Sequence, residues 1–219
     1  MMSTFFMPNN SKVQTFFILI LLVAAGVGGY FASQVFLNGK KTAHYQSLKL
    51  YPQSKAFSGF YLIDKNQQKI DENYFNGKWT VLFFGYTNCP DVCPTTLSEL
   101  QKTYKILLSE NKIKQMPEIL FVSVDGERDS AQHLKDYIAF FNPKFNAASS
   151  NDANILALTR QIGAAYHIDD HQKGENNYNV DHTAALFVIA PNKELYGIFP
   201  SPHEAIKIAH DLTELIGRK

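Results

Sequence analysis

The stretch "WTVLFFGYTNCPDVCPTTLSEL", Trp79 to Leu100, decides the fold. Its first part, Trp79 to Tyr86, is a nearly continuous apolar run, the pattern of a strand covered on both faces. Pro94 then opens a helix whose apolar residues, Leu97, Leu100, Tyr104 and Leu107 or Leu108, recur at spacings of three and four; proline suits a first helical turn. The only two cysteines of the chain, Cys89 and Cys93, stand at this handover from strand to helix.

On either side the same alternation continues. "FYLIDKNQQKIDENYFNGKW" (Phe60 to Trp79) alternates apolar positions across a turn at Lys65 to Gln68, a hairpin entering the domain. "PEILFVSVD" (Pro117 to Asp125) is a second buried strand. "DSAQHLKDYIAFF" begins with a capping-box pattern from Asp129 to Gln132 and puts Leu134, Tyr137, Ile138 and Phe141 on one helical face. A helix over residues 152–166 follows a short segment around Phe145. "AALFVIAP" (Ala184 to Pro191) is a third apolar strand, paired as a hairpin with "ELYGIF" (Glu194 to Phe199). A last helix is expected to be capped by Ser201, Pro202 and Glu204. Strands alternating with helices, then a terminal hairpin and helix, make an α/β mixed sheet flanked by helices. A thioredoxin-like fold is its specific form, because there the reactive pair sits where the first buried strand hands over to a helix.

The amino terminus has a different character. No charged residue occurs from Val13 to Gly39, and the apolar core of residues 15–37 spans about 34 Å as a helix, enough for a hydrocarbon layer of about 30 Å. The expected organisation is a tail (1–14), a single transmembrane anchor (15–37), an irregular tether (38–56) and one domain (57–219). A cleaved signal peptide is the competing reading; the uninterrupted apolar length favours the anchor. Lys12 before the segment and Lys40 and Lys41 after it leave orientation undecided by charge. One lysine and no arginine in the first fourteen residues argue against a mitochondrial transit peptide, leaving a bacterial membrane protein. A net charge of +1 without a basic run gives no footprint for nucleic acid.

Two cysteines do not make a disulfide scaffold, so their value is local. A helix amino terminus offers unpaired N–H groups and a partial positive charge, so both thiols should be more acidic than free cysteine. That serves redox chemistry and metal ligation alike. Three residues separate the pair where a thioredoxin-type motif has two, and helical i, i+4 Cβ atoms about 5–6 Å apart suit two sulfurs on one metal better than a relaxed disulfide. A disulfide stays open because Pro90 and Pro94 make the backbone irregular. Two thiolates alone leave a metal under-coordinated, which directs attention to seven histidines. His44 lies in the tether, His133 beside an apolar helical face, and His203 and His210 on the last helix. His167 and His171 flank a polar run expected as a solvated hairpin tip. His182 stands immediately before a buried strand that can neighbour the cysteine-bearing one, so it is either a third ligand or an ordinary capping residue.

"GYTNCPDVCPTTL", "VSVDGERDS" and "VDHTAALFVIAP", in that order behind one apolar segment, resemble the Sco/SenC family of membrane-tethered copper-binding proteins. The resemblance implies a thioredoxin-like domain in which Cys89, Cys93 and His182 bind copper, with Cu(I) the expected form and Cu(II) the alternative. It implies a role in assembling the dinuclear copper centre of cytochrome c oxidase, with the oxidase subunit, a copper donor and a dithiol reductant as partners. The domain would face the periplasm from a single-pass anchor in the bacterial inner membrane. Soft thiolates with one imidazole suit a three-coordinate cuprous ion. The competing function is a thiol–disulfide oxidoreductase acting through Cys89 and Cys93. Two departures stand out: Asn88 replaces a more usual aromatic or histidine, and Gly126 replaces a common proline, which is expected to loosen the following turn.

Overall fold

The structure, a computed structural model, describes residues 11–37, 44–172 and 174–217. It falls into two units, Met1–Ala43 and His44–Lys219. The first contains helix α1 (Ser11–Leu37), along which Phe16, Ile18, Leu19, Leu21 and Leu22 are exposed. Among the described residues no helix is long and apolar enough to cross a membrane. Most of the expected tail, through residue 10, and the tether through residue 43 lie outside the described residues.

The second unit is built on β1 (Lys49–Ala56), β2 (Leu62–Asp64), β3 (Lys69–Ile70), β4 (Thr80–Gly85), β5 (Glu118–Ser123), β6 (Asn146–Ser149), β7 (Tyr166–Ile168), β8 (Val180–His182), β9 (Leu186–Ile189) and β10 (Glu194–Phe199). The helices are α2 (Val92–Glu110), α3 (Ala131–Phe141), α4 (Asp152–Ile162) and α5 (Ala205–Ile216). Eight strands form one mixed sheet in the order β1–β10–β9–β4–β5–β6–β2–β3, and β7 pairs with β8 separately. Strands β4 and β9 are buried at every position, as their unbroken apolar sequences require. Phe83, Phe84, Phe121, Phe187 and Phe199 are fully buried between sheet and helices, each contributing about 1.5–3 kcal/mol.

The register places the site. β4 runs parallel to β5, with Gly85 beside Ser123, and antiparallel to β9, with Phe83 beside Leu186. Continued past Leu186 towards the amino end of β9, this ladder would bring His182 opposite Thr87, next to the cysteine loop.

Several expectations change. Lys49–Ala56, read as part of an irregular tether, forms an edge strand antiparallel to β10. A buried carboxylate holds its start: Asp211 of α5 accepts the N–H groups of Gln46, Ser47 and Leu48, each at 2.7 Å. Ser130, not Asp129, caps α3 by accepting the His133 N–H, because Asp129 is turned inward. α4 stops at Ile162, where Gly163 takes φ +82°, a left-handed conformation that glycine adopts without strain. α5 starts after Glu204 with no side-chain cap, so His203 lies ahead of the helix.

Candidate metal centre

Cys93 lies in the first turn of α2 and is wholly buried, whereas Cys89 lies in the preceding loop and is half-buried. The helix cap residue Asp91 makes no side-chain cap hydrogen bond to the first backbone N–H groups. Its place is taken by Cys89, whose Sγ lies 3.4 Å from the Cys93 N–H. A sulfur thus accepts one of the donors a helix start leaves unpaired. Gly85 makes room for the second sulfur: a Cβ there would stand 2.6 Å from Cys93 Sγ and 2.8 Å from Phe121 Cε2.

The third group arrives from β8. His182 Nε2 lies 3.3 Å from Cys93 Sγ. Its Nδ1 faces the Thr183 carbonyl at 3.3 Å; a carbonyl only accepts, so the ring proton belongs on Nδ1 and the Nε2 lone pair points at the sulfurs. Phe83 and Tyr86 meet the imidazole edge-on at centroid distances of 5.9 and 6.0 Å, walling it in position. Its other side lines an open cleft formed with Ala165, Tyr166, His167, Asp181 and Thr183. The ligand atoms of Cys89, Cys93 and His182 all lie within 4.8 Å of one another, the one such group of three among the described residues. Two sulfurs each about 2.3 Å from one ion stand at most about 4.6 Å apart, so the three atoms need only a small inward shift to share a metal.

The two thiols are not alike, contrary to the expectation that both are acidic. The hydrogen bond between the sulfurs favours the Cys89 thiolate; although partial burial opposes it, the backbone N–H groups add to the effect, and the Cys89 pKa falls far below that of free cysteine. The same sulfur–sulfur bond leaves the proton on Cys93, and burial reinforces this, so the Cys93 thiol is pushed up. A helix start lowers a thiol's pKa only where the thiol keeps an anionic role, and here one sulfur takes that role from the other.

A second set of residues, which spacing alone did not reveal, fixes the approach of His182. Arg128 pairs with buried Asp125 through Nε at 2.5 Å and donates to the carbonyls of Asn176 and Tyr178 at 3.1 and 3.0 Å. Its guanidinium covers the Tyr178 ring at 3.6 Å, and His171 stacks on that ring at 3.7 Å. The Tyr178 hydroxyl returns to Asp125 at 2.8 Å. The loop leading into β8 is therefore tied to the "VSVDGERDS" turn. Gly126 does not loosen that turn: a Cβ there would stand 2.3 Å from the Ser150 carbonyl, so the missing side chain is what lets the two backbones touch. Asn88 is exposed, next to Cys89 in the chain.

The remaining histidines lie elsewhere. His133 and His167 are exposed, and the hairpin expected around His167 and His171 is formed by β7 and β8. His171 bonds Glu127 and the Asp169 carbonyl, His210 bonds Asp211, and His203 donates Nε2 to the Ala184 carbonyl at 2.7 Å.

The family model described as SCO1/SenC matches residues 49–217, nearly the whole second unit. The chain belongs to the SCO1/SenC family. An SCO2-like protein of Rickettsia prowazekii is 31% identical over 176 residues, covering 80% of this chain and 84% of that one. The solution structure of apo Sco1 from Thermus thermophilus is 30% identical, with a TM-score of 0.68 over 80% of this chain and 99% of that one. Copper-bound ScoI of Bradyrhizobium japonicum is 29% identical, with a TM-score of 0.62 over 72% and 98%. Against these SCO1/SenC relatives the thioredoxin-like arrangement of sheet and flanking helices holds.

Proposed function

We propose that this chain is a copper metallochaperone for cytochrome c oxidase assembly, binding copper through Cys89, Cys93 and His182 and passing it to the copper-centre subunit by ligand exchange. The observation that carries this is the convergence of two sulfurs and one correctly tautomerised imidazole nitrogen within 4.8 Å. Membership of a family that includes copper-bound ScoI supports the choice of metal. Two thiolates and one imidazole match Cu(I), and three ligands leave the ion open to a partner's thiolate. The half-exposed Cys89 and the cleft beside His182 are the sides from which that exchange would proceed.

The uncharged run from Val13 to Gly39 supports a membrane anchor at residues 15–37. A dithiol that must be reduced before loading suits an oxidising compartment, which supports a periplasmic site on a bacterial inner membrane. The asymmetry of the pair favours one second reading, a thiol–disulfide reductase in which Cys89 attacks the target and Cys93 resolves.

His182→Ala separates the two. Copper affinity and oxidase assembly fall together in the chaperone reading, with the reactivity of the cysteines towards a disulfide substrate retained. Normal oxidase assembly without His182 would refute it in favour of the reductase.

A further inference from the structure

The two aspartates of "VSVDGERDS" have opposite electrostatic settings. Asp125 is neutralised by Arg128. Asp129 is only 3% exposed and has no cationic partner among the described residues. Its oxygens accept from uncharged donors: the Thr87 N–H at 2.9 Å, the Thr87 hydroxyl at 2.5 Å and the Ser123 hydroxyl at 2.5 Å. Both oxygens accepting, with no donor of its own, is the bonding of an ionised carboxylate.

Each of those donors belongs to the metal centre's scaffold. Thr87 lies two residues before Cys89. Ser123 is paired with Gly85 across the parallel β4–β5 ladder, and the space beside Gly85 holds Cys93 Sγ. Paired residues on neighbouring strands point to the same face, so the Ser123 hydroxyl and the carboxylate bonded to it stand on the Cys93 side of the sheet. Their separation from the sulfur is of the order of one strand spacing, about 4.8 Å, plus a hydrogen bond.

Charge counting gives this position a consequence. Two thiolates, one neutral imidazole and Cu(I) carry a net charge of −1, whereas the same ligands around Cu(II) are neutral. With Cys89 ionised and Cys93 protonated the empty site already carries −1; loading Cu(I) with release of one proton keeps that charge and loading Cu(II) cancels it, so a fixed anion behind the site favours the cupric complex and leaves the cuprous one nearly unaffected. Loading either ion releases the same thiol protons to solvent, so proton release cancels when the two are compared.

We propose that Asp129 sets the balance between copper oxidation states at this centre, strengthening Cu(II) relative to Cu(I), while its hydrogen bonds hold the Cys89 loop in register. It is a positioning residue and touches no metal ligand. The inference rests on the reading of Cys89, Cys93 and His182 as copper ligands.

The test compares the full chain in detergent, anaerobically, with its Asp129→Asn and Thr87→Val variants. Cu(I) affinity is measured against a cuprous chelator and Cu(II) affinity against a cupric one. Asp129→Asn should raise the ratio of Cu(I) to Cu(II) affinity by about tenfold, the effect of one buried charge at partial screening. Thr87→Val, which loosens the loop but keeps the charge, should weaken both ions and leave the ratio unchanged. Asp129→Glu should restore the wild-type ratio; if Asp129→Asn does not fold, Asp129→Ser removes the same charge. An unchanged ratio on removing the charge, or an equal shift in Thr87→Val, overturns the inference while leaving the copper site standing. Failure of the wild-type chain to bind copper stoichiometrically overturns the site reading itself.

Discussion

At the scale of single residues, the centre depends as much on a missing side chain as on the three ligands. Cys93 Sγ occupies the space a Cβ at position 85 would need, at 2.6 Å, with Phe121 closing the other side at 2.8 Å. Gly85→Ala must therefore push Cys93 or Phe121 out of place in a fully buried region. We expect a loss of about 1–3 kcal/mol in urea unfolding and a weakened metal site even though every ligand remains. Unchanged copper affinity in this variant would mean that Cys93 tolerates displacement. Sequence spacing made the two cysteines legible, and it singled out His182 by its place before a buried strand. The difference between the thiols was not legible, because it arises from one sulfur capping the helix and the other lying beneath it.

At the scale of elements, the strand–loop–helix unit of β4 and α2 supplies the sulfurs, and the β7–β8 hairpin supplies the nitrogen. The apolar runs of β4, β5 and β9 announced themselves because strands buried on both faces need such sequences. The short strand β6 and the edge strand β1 did not. β1 is mostly exposed and polar, and its place is set by backbone pairing with β10 and by Asp211, neither of which leaves a periodic signal. The hairpin's attachment was equally invisible, since it rests on one arginine reaching carbonyls about fifty positions away. Lysine at position 128 keeps the charge but cannot serve Asp125 and two carbonyls from one planar fork. Arg128→Lys should therefore speed amide hydrogen exchange in residues 174–182 and weaken copper binding, with the β4–β5 ladder still protected. Arg128→Ala should cost about 3–5 kcal/mol, because it leaves Asp125 buried and unpaired.

At the scale of the whole molecule, the SCO1/SenC domain is closed at its entrance by Asp211. Burial alone would raise this carboxyl's pKa; the N–H groups of Gln46, Ser47 and Leu48, together with His210, outweigh burial and hold it below the ordinary aspartate value. A depressed folded-state pKa contributes stability that is fully present above the unfolded value of about 3.9 and is lost as pH falls through the folded value below it. The wild-type domain should accordingly lose stability steeply below about pH 4, and Asp211→Asn should be less stable at neutral pH with a shallower acid slope. Urea midpoints measured from pH 6 down to pH 2.5 check this; parallel slopes would remove Asp211 from the account.

The central claim is that two sulfurs and one imidazole nitrogen hold a single copper ion. X-ray absorption at the copper edge of the reduced, copper-loaded chain tests it most directly. The account predicts a three-coordinate cuprous ion with two sulfur neighbours at about 2.3 Å and one nitrogen at about 2.0 Å, the nitrogen disappearing in His182→Ala. A spectrum with sulfur neighbours alone in the wild-type chain, or no stoichiometric copper at all, would contradict it.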